Sequence, residues 1–496
     1  MKRQSGVLMN ISSLPSPYGI GVIGKQAEDF AKKIKKMGFS KWQILPLNPP
    51  GAGNSPYSSD GAFAGNILYI DPEKLAEDGL VTNEDVKACY YSGTPYRVNY
   101  EAVTENKLSL LKKAYENITD EYKAGTTAFL KNTENFNYAY FKALKEHFDG
   151  EPFYNWKKEY KVRALAEQHK GEFADEIFFQ GFCMYVFMRQ WKEFKKSVNE
   201  LGIELIGDMP IYVNLDSADV WSHTDLFLLN KNTFRPQLVA GVPPDYFSED
   251  GQLWGNPLFD WKAMEEDGFN WWIERIAHSL SLYDTLRIDH FRGFASFWAV
   301  GAKEETAKNG KWKKGPGMKL FDAVNKKLKN PSIIAEDLGE FGKDVENLLK
   351  DTGFAGMRVI QFGFDGKDNS HLPQNYPKNC IAYTGTHDND TVLGWLYSIA
   401  EDETRKLVLD YCGFKDWNWG EGGFYSRSVR AVIETVWRSP AALAIVPVQD
   451  MCGFGSDTRI NVPGTPDGNW EVRFTKEQLD SIDADYFKRI NTVFVR

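Results

Sequence analysis

Short apolar runs recur along the chain, and most of them end in polar or glycine-rich loops. Helical patterns lie between many of these runs. Eight runs stand out, at 6–9, 42–47, 204–208, 285–291, 332–338, 357–364, 381–386 and 442–449. Strands that alternate with helices are typical of a parallel α/β architecture, and eight of them favour a closed barrel. The pattern therefore predicts a (β/α)8 (TIM) barrel.

The alternation of strands and helices breaks for more than a hundred residues after the second run. We predict an inserted, mainly helical subdomain at 71–197, whose last helix returns to the main body. The catalytic barrel would then consist of 1–70 and 198–496, with a loop subdomain at 223–261 over the cleft. After Asp450 the chain has room for about one helix and some loop, so we expect no C-terminal β-domain.

Composition and charge exclude some classes of partner. The 496 residues carry a formal net charge of -9, and Lys and Arg form no basic block of the kind that phosphate binding requires. We therefore expect no nucleic acid partner. The five Cys are dispersed, with no C-x-x-C spacing, which indicates reduced thiols in a cytoplasmic protein. No signal-peptide pattern and no long apolar stretch occurs, so we expect no membrane segment. The sequence leaves the oligomeric state open.

Acidic residues stand at the ends of four predicted strands: Asp208, Asp289, Glu336 and Asp388. The carboxyl ends of barrel strands converge on one cleft, so these side chains can meet there. Arg287 precedes Asp289 by two residues, shares its strand face and can relieve the repulsion between the carboxylates. Glycoside cleavage uses such a set, with one carboxylate attacking carbon or activating water and a second donating a proton.

Two other interpretations fit the same positions. An acidic residue at a strand end often caps a helix or shapes a turn. A metal site is the other alternative. The seven His show no metal-ligand spacing, but spacing alone leaves an oxygen-ligand Mg²⁺ site open.

Several short strings carry a resemblance to a known family. RIDHFRG at 287–293, AEDLG at 335–339 and THDN at 386–389 resemble the catalytic motifs of the α-amylase clan. Others are SSLPSPYGIG at 12–21, SPY at 55–57, GDMPIYV at 207–213, GVPPD at 241–245, QLWGNP at 252–257 and PGT at 463–465. Together they resemble glycoside hydrolase family 77, the amylomaltases or 4-α-glucanotransferases, from about Ser5 to Trp470. Ser16 and Cys452 depart from the family pattern, and neither is at a catalytic position.

The resemblance implies a role for each matching residue. Asp289 would form a covalent glucosyl-enzyme, and Glu336 would act as acid and then base. Asp388 would hydrogen-bond the 2- and 3-hydroxyls of the sugar, and Arg287 would orient Asp289 and keep it ionised. The remaining substrate-binding residues are expected to be Asp208, His387, Trp254, Tyr57 and Asn256. The resemblance also implies maltooligosaccharides and α-1,4-glucans as substrates, and neither a metal nor an organic cofactor.

Three aromatic residues near these motifs have competing interpretations. Trp254 lies in a Pro- and Gly-rich stretch, 241–257, where it is either a packing anchor or, as the resemblance favours, a lid residue that lies on a glucose ring. Tyr57, in the loop after the second strand, is interpreted in the same way. His290 should point to the opposite strand face from Asp289, and we interpret it as a packed histidine rather than a sugar contact.

Three other functions compete with the transferase. A hydrolase of the same clan would use the same carboxylates with water as acceptor. A non-catalytic glucan-binding scaffold would be expected to lack at least one of Asp289, Glu336 and Asp388, and all three are present. A sugar isomerase on a similar barrel would require a metal cluster or a basic proton shuttle. We further predict that neighbouring carboxylates keep Glu336 protonated near neutral pH.

Overall fold

The computed structural model describes residues 3–244, 248–339, 342–366 and 368–496. Residues 1–2 of the predicted segment 1–70, residues 340–341 and 367 of the segment 198–496, and residues 245–247, which fall on the segment 223–261 and the string 241–245, therefore lie outside the described residues. The strands are β1 Gln4–Leu8, β2 Lys41–Gln43, β3 Glu204–Met209, β4 Leu238–Val242, β5 Gln252–Pro257, β6 Thr285–Ile288, β7 Ser296–Gly301, β8 Lys311–Lys314, β9 Ile333–Ala335, β10 Gly356–Val359, β11 Cys380–Tyr383 and β12 Leu443–Pro447.

Eight of these strands form one parallel sheet, in the order β10-β11-β12-β1-β2-β3-β6-β9. Each of the eight corresponds to one of the predicted apolar runs. A parallel bridge between Ile334 and Ala355 joins β9 to the start of β10, and the amide of Ala335 donates to the carbonyl oxygen of Ala355 at 3.0 Å. The sheet thereby closes, which confirms the predicted (β/α)8 barrel.

Alternate residues of the barrel strands face two different cores. Leu8, Ile206 and Ile445 point into the barrel, whose interior they fill with other buried apolar side chains. Val7 and Leu286 point outward and pack against the helices. This two-sided burial explains why the strands are short, nearly continuous apolar runs.

Helices surround the barrel and fill the long insertion. They are α1 Lys25–Lys36, α2 Pro72–Glu77, α3 Asn83–Ala88, α4 Tyr100–Glu116, α5 Asp120–Phe129, α6 Thr133–His147, α7 Lys158–Lys161, α8 Arg163–Ala166, α9 Ala174–Glu200, α10 Ala218–Ser222, α11 Trp261–Glu266, α12 Asn270–Leu282, α13 Arg292–Ala295, α14 Met318–Leu328, α15 Lys343–Thr352, α16 Val392–Ser398, α17 Asp402–Tyr411, α18 Arg427–Arg438, α19 Val448–Cys452, α20 Lys476–Asp480 and α21 Ala484–Val493.

Between β2 and β3 the described chain is helical, from α2 to α9. Side-chain caps start several of these helices, among them Asn99 for α4 and Asn132 for α6. The last of them, α9, reaches the barrel: Trp191 Nε1 donates to the carbonyl oxygen of Leu282, at the end of α12, at 3.0 Å. The division into 1–70 with 198–496, 71–197 and 223–261 stays a prediction.

The segment 223–261 differs from the predicted loop. It contributes β4 and β5 to a four-stranded antiparallel sheet in the order β5-β4-β7-β8. Sequence pattern did not predict β5 because Gly255 and Pro257 are poor strand formers, and pairing with β4 holds it extended. Strand β8, Lys311–Lys314, is exposed at every residue and therefore has no apolar alternation to detect.

The chain after β12 returns to helices. The structure describes all of residues 448–496, which contain α19, α20 and α21. Their only β-pairing with the described chain is the single bridge between Val472 and Arg97. Residues 448–496 thus form helices and loops rather than a β-domain. None of the described helices has the length and apolar character needed to span a bilayer.

Candidate active site

Two of the four predicted carboxylates, Asp208 and Asp289, meet at one buried arginine at the carboxyl ends of β3 and β6. Arg287 Nη1 donates to Asp208 Oδ2 at 2.5 Å, and Arg287 Nη2 lies 3.0 Å from Asp289 Oδ1. Arg287 and Asp289 are two residues apart and therefore share one face of the extended chain, as predicted. The side chain of Asp208 is fully buried, whereas that of Asp289 is 28% exposed and faces the cleft.

Glu336 lies directly after β9, beside the Asp289 segment. Its carboxylate accepts two backbone hydrogen bonds, from His290 N at 2.8 Å and from Leu338 N at 2.7 Å. Its own amide donates to the carbonyl oxygen of Ile288 at 2.9 Å. Backbone groups of two neighbouring strands thus fix the position of the Glu336 carboxylate.

Asp388 follows β11 and is 42% exposed, the most open of these acidic side chains. Its Oδ1 accepts a hydrogen bond of 2.6 Å from Asn461 Nδ2, and its Oδ2 lies 3.2 Å from His387 Nε2. Its backbone carbonyl accepts from Arg459 Nη2 at 2.5 Å. The segment after α19 therefore orients the acidic residue that follows β11.

An aromatic wall adjoins the acidic group. The rings of Tyr57 and His387 stack with centroids 5.2 Å apart, and Trp470 contacts both, at 5.5 Å and 5.8 Å. The Tyr57 hydroxyl donates to Asp208 Oδ2 at 2.8 Å. Burial raises the pKa of the Tyr57 hydroxyl, with a further contribution from Asp208, so this hydroxyl stays a donor.

Strand β5 brings Trp254 to the Asp289 segment. The Trp254 ring is 37% exposed and packs edge-on against His290, with centroids 4.7 Å apart. The structure therefore packs His290 as predicted, against Trp254. Asn256, predicted to contact sugar, donates from Nδ2 to the carbonyl oxygen of Val213 at 2.9 Å. Its amide nitrogen is thus engaged by backbone within the protein.

Burial is the main cause of the altered titration of Glu336. It raises the pKa of Glu336 to about 7, against the opposing effects of Arg287 and the two backbone amides. We predicted this direction but attributed it to Asp289 and Asp388. The structure instead assigns the largest effect to burial, with a smaller addition from Asp337.

Arg287 is expected to help keep Asp289 ionised, but its effect on the pKa of Asp289 is not the largest one. Burial raises the pKa of Asp289 well above its ordinary value, and neighbouring carboxylates, including Asp208, add to this direction. Arg287 opposes it. The guanidinium therefore lowers the pKa of Asp289, but by less than burial and the neighbouring carboxylates raise it.

Pattern reasoning did not assign roles to Asn461, Arg459 and Trp470, which position Asp388 and His387. These residues lie in an irregular segment with no periodic pattern, some seventy residues after Asp388. The signal that pointed to this segment was the string PGT at 463–465, which lies between them.

No group of three or more His, Cys, Asp or Glu arranged to hold a metal ion is found within the part of the chain that the structure describes. Arg287 occupies the position between Asp208 and Asp289 where a cation would otherwise balance the two carboxylates.

A barrel that gathers a nucleophile-like carboxylate, a buried carboxyl with a pKa about 7 and an aromatic wall defines a glycoside-processing enzyme. Comparison with known proteins makes this specific. Residues 9–479 match the glycoside hydrolase family 77 profile, described as 4-alpha-glucanotransferase. The chain belongs to this family.

Similar proteins cover nearly the whole chain. A 4-alpha-glucanotransferase of Clostridium butyricum is 43% identical over 98% of this chain and 100% of its own. The chloroplastic/amyloplastic 4-alpha-glucanotransferase of Solanum tuberosum is 43% identical over 98% of this chain and 84% of its own. Among solved structures, the amylomaltase of Streptococcus agalactiae in complex with acarbose superposes with a TM-score of 0.94, at 37% identity and 100% coverage of both chains.

Proposed function

We propose that this enzyme transfers α-1,4-glucan segments to the 4-hydroxyl of glucose or another glucan by a retaining double displacement. The observation that carries this proposal is the pairing of Asp289, held by Arg287 at 3.0 Å, with the buried Glu336 carboxyl, whose pKa is about 7. Two carboxyl groups with different environments can divide the roles of nucleophile and acid.

In the first step an oxygen of Asp289 attacks the anomeric carbon of the donor. The bond from that carbon to the leaving 4-oxygen breaks, and the oxygen takes the electron pair together with the proton of Glu336. Arg287 favours the ionised form of Asp289 over that of Glu336, because its guanidinium contacts Asp289 directly. Of these two carboxyl groups, Glu336 is therefore the one that carries the proton near neutral pH.

In the second step the 4-hydroxyl of an acceptor sugar attacks the same carbon from the opposite side. Glu336, now a carboxylate, takes the proton of that hydroxyl, and the ester bond to Asp289 breaks. The donor segment leaves with its original anomeric configuration, and both carboxyl groups return to their starting states. None of these steps requires a metal or an organic cofactor.

The proposed contacts to the sugar use polar and aromatic side chains of the cleft. Asp208 Oδ1 has no hydrogen-bond partner within the described residues, and a sugar hydroxyl can reach it only if substrate binding exposes this fully buried side chain. Asp388 is partly exposed at the cleft and can accept hydrogen bonds from the 2- and 3-hydroxyls. Tyr57, His387 and Trp254 provide aromatic surface beside these groups. The side-chain carbonyl of Asn256, which accepts no hydrogen bond from the described residues, adds an acceptor.

Solved relatives support the class of substrate. The amylomaltase of Streptococcus agalactiae was determined in complex with acarbose, and the family description names glucan transfer. We propose maltooligosaccharides and α-1,4-glucans as the substrates of this chain. We also propose a cytoplasmic location, which is supported by five buried cysteines without a disulfide.

Incubation with maltotriose alone tests the proposal. A transferase should give glucose and a ladder of longer maltooligosaccharides, with almost no gain in reducing ends, because each cleaved bond is replaced by a new one. Chromatography and a reducing-end assay on the same samples give both quantities. If the products are only glucose and maltose, and reducing ends rise in step with bond cleavage, the enzyme is a hydrolase.

A further inference from the structure

His290 has an unusual backbone conformation at a position directly after Asp289. Its φ is +49°, in the left-handed region that residues with a side chain seldom adopt. The next residue, Phe291, has φ -55° and ψ -28°, which is right-handed. A left-handed residue followed by a right-handed one turns two successive amides toward the same side, and such pairs are known to hold anionic oxygens.

The hydrogen bonds show where these two amides point. Asp289 N donates to Met209 O at 3.0 Å, toward β3, as expected for a strand residue. His290 N and Phe291 N then both turn toward Glu336, and donate to its carboxylate at 2.8 Å and to its carbonyl oxygen at 3.0 Å. An extended strand would alternate the direction of successive amides. The left-handed φ of His290 is what breaks that alternation.

The side chain of His290 makes a second connection. Its ring packs edge-on against Trp254, with ring centroids 4.7 Å apart. Gly293 lies on another side of the ring and has to be a glycine, because a Cβ added there would lie 2.5 Å from Ile211 and 3.3 Å from the His290 ring. The ring is therefore held between Gly293 and Trp254. One residue thus joins the carboxylate of Glu336, through its backbone, to the exposed aromatic ring on β5, through its imidazole.

We propose that His290 is a positioning residue that joins the acid/base Glu336 to the Trp254 platform, with its backbone aiming the carboxylate and its ring fixing the tryptophan. The inference rests on the proposed function, in which Glu336 is the acid and the Trp254 ring offers aromatic surface to the substrate; here we assign that surface to the acceptor sugar. It assigns two separable effects to one residue, so a substitution that removes only the ring can be compared with one that removes the ring and also disfavours the left-handed φ.

Two substitutions separate the backbone from the ring. His290→Asn keeps a residue type that tolerates left-handed φ but removes the ring, whereas His290→Val, which is β-branched, disfavours that φ. His290→Asn should raise the acceptor KM by about 2- to 10-fold, the loss expected for one aromatic pair, with the pH profile unchanged. His290→Val should lower kcat for maltotriose and displace the alkaline limb of the pH–rate profile. It should spare attack on a glycosyl fluoride, whose leaving group needs little acid help.

A matched variant controls for backbone strain as such. Lys329 also has a left-handed φ, of +53°, at the exposed end of α14. Lys329→Val should lower stability and leave the alkaline limb and the acceptor KM where they are in the natural enzyme. Circular dichroism and thermal unfolding of all three variants verify that each is folded before rates are compared.

Separate results overturn the inference and the proposed function. Glu336→Gln should lose maltotriose transfer and keep slow reaction with a glycosyl fluoride, and equal loss of both would remove Glu336 from the acid role. If Glu336→Gln behaves as expected but His290→Val leaves the alkaline limb in place, His290 does not position the acid. Equal changes from His290→Asn and His290→Val would show that backbone and ring have no separate effects, which also overturns the inference.

Discussion

Asn461 Nδ2 donates a hydrogen bond of 2.6 Å to Oδ1 of Asp388, across a sequence separation of 73 residues. The backbone amide of Asn461 also donates to the carbonyl oxygen of His387, at 3.1 Å. One residue after β12 therefore sets the orientation of two consecutive residues after β11. Under the proposed function these two residues contact the sugar at the cleavage position.

Replacing this amide should slow the reaction without unfolding the enzyme. Asn461→Ala should lower kcat/KM for maltotriose by roughly 10- to 150-fold, because a hydrogen bond to a charged group contributes about 1.5–3 kcal/mol. Initial rates over a range of maltotriose concentrations give the ratio. Asn418→Ala is the matched control, since Asn418 makes the same bond, at 2.6 Å, to exposed Glu421. Similar losses in both variants would contradict a specific role for Asn461.

Arg287 should matter for stability as well as for catalysis. Arg287→Met leaves the fully buried Asp208 without its cation and should lower the free energy of unfolding by about 3–5 kcal/mol. Adding Asp208→Asn should restore part of that stability, because it removes the unpaired charge, but not the activity. Urea unfolding followed by fluorescence measures each value.

A surface pair provides the comparison for Arg287. Arg438 lies 3.2 Å from Glu434 on an exposed helix face, and Arg438→Met should cost less than about 1 kcal/mol. If the double variant at 287 and 208 is no more stable than Arg287→Met alone, the buried charge of Asp208 is not the cause of the loss.

Burial of Glu336 should make stability depend on pH in a definite direction. The pKa of Glu336 rises from an ordinary 4.5 to about 7, so the folded state binds this proton more tightly than the unfolded chain does. The stabilisation is complete below pH 4.5 and is lost as the pH rises to about 7. Glu336→Gln has no such proton, so its stability relative to the natural enzyme should rise across that window by about 3 kcal/mol.

Urea unfolding at several pH values between 4 and 8 measures that difference. The glutamine also alters the hydrogen bonds from His290 N and Leu338 N, which changes the free energy of unfolding at every pH. The informative quantity is therefore how the difference in free energy of unfolding between the two proteins changes with pH. Two curves that stay parallel over the whole range would show that the pKa of Glu336 is not raised by folding.

The rate should show a bell-shaped dependence on pH. Above about pH 7, kcat/KM should fall as Glu336 loses the proton that the leaving oxygen needs. The acid limb should lie above the ordinary range of an aspartate, because burial raises the pKa of Asp289. Both limbs belong to the coupled pair rather than to either residue alone. Initial rates on maltotriose in a constant-ionic-strength buffer series test this, and a flat profile between pH 6 and 9 would contradict it.

Trp254 should favour acceptor sugars over water. Water is present at about 55 M, so an acceptor sugar wins only if binding gives it a large effective concentration. Trp254→Ala should lower transfer more than hydrolysis, which raises the ratio of reducing ends formed to bonds cleaved. Trp312→Ala is the control, because Trp312 lies in the same antiparallel sheet with nearly the same exposure, 39% against 37%. An equal change of this ratio in both variants would contradict the platform role.

The barrel was predictable because each of its strands is buried on both faces. A strand such as β11, Cys380–Tyr383, is apolar whichever core a side chain enters, so the pattern alone reveals it. The sheet formed by β4, β5, β7 and β8 was not predictable in the same way. Its outer strand β8 is exposed at all of its residues, and β5 owes its conformation to pairing partners rather than to its own residues.

The part of the site that lies at the carboxyl ends of the strands was predictable, because the strand ends of a barrel converge on one cleft. Asp289 and Arg287 share a face by the two-residue period of a strand, and this relationship appears in the structure as the 3.0 Å contact. Asn461 and the left-handed φ of His290 depend on tertiary contacts that have no local periodic signal. The pKa of Glu336 likewise depends on burial, which becomes known only when the surrounding elements are assembled.

The pairing of β1 with β12 has a consequence for how the enzyme is made. Gln4 is in register with Leu443, so all of the chain between these two residues must leave the ribosome before the first strand meets its second neighbour. At about 5–20 residues per second, the growing chain carries an open sheet with an unpaired edge for roughly 20–90 s. During that time β1 can pair with β2 alone, and its other edge is available to chaperones or to neighbouring nascent chains. The barrel can therefore close, and the cleft can be completed, only after β12, Leu443–Pro447, has been synthesised.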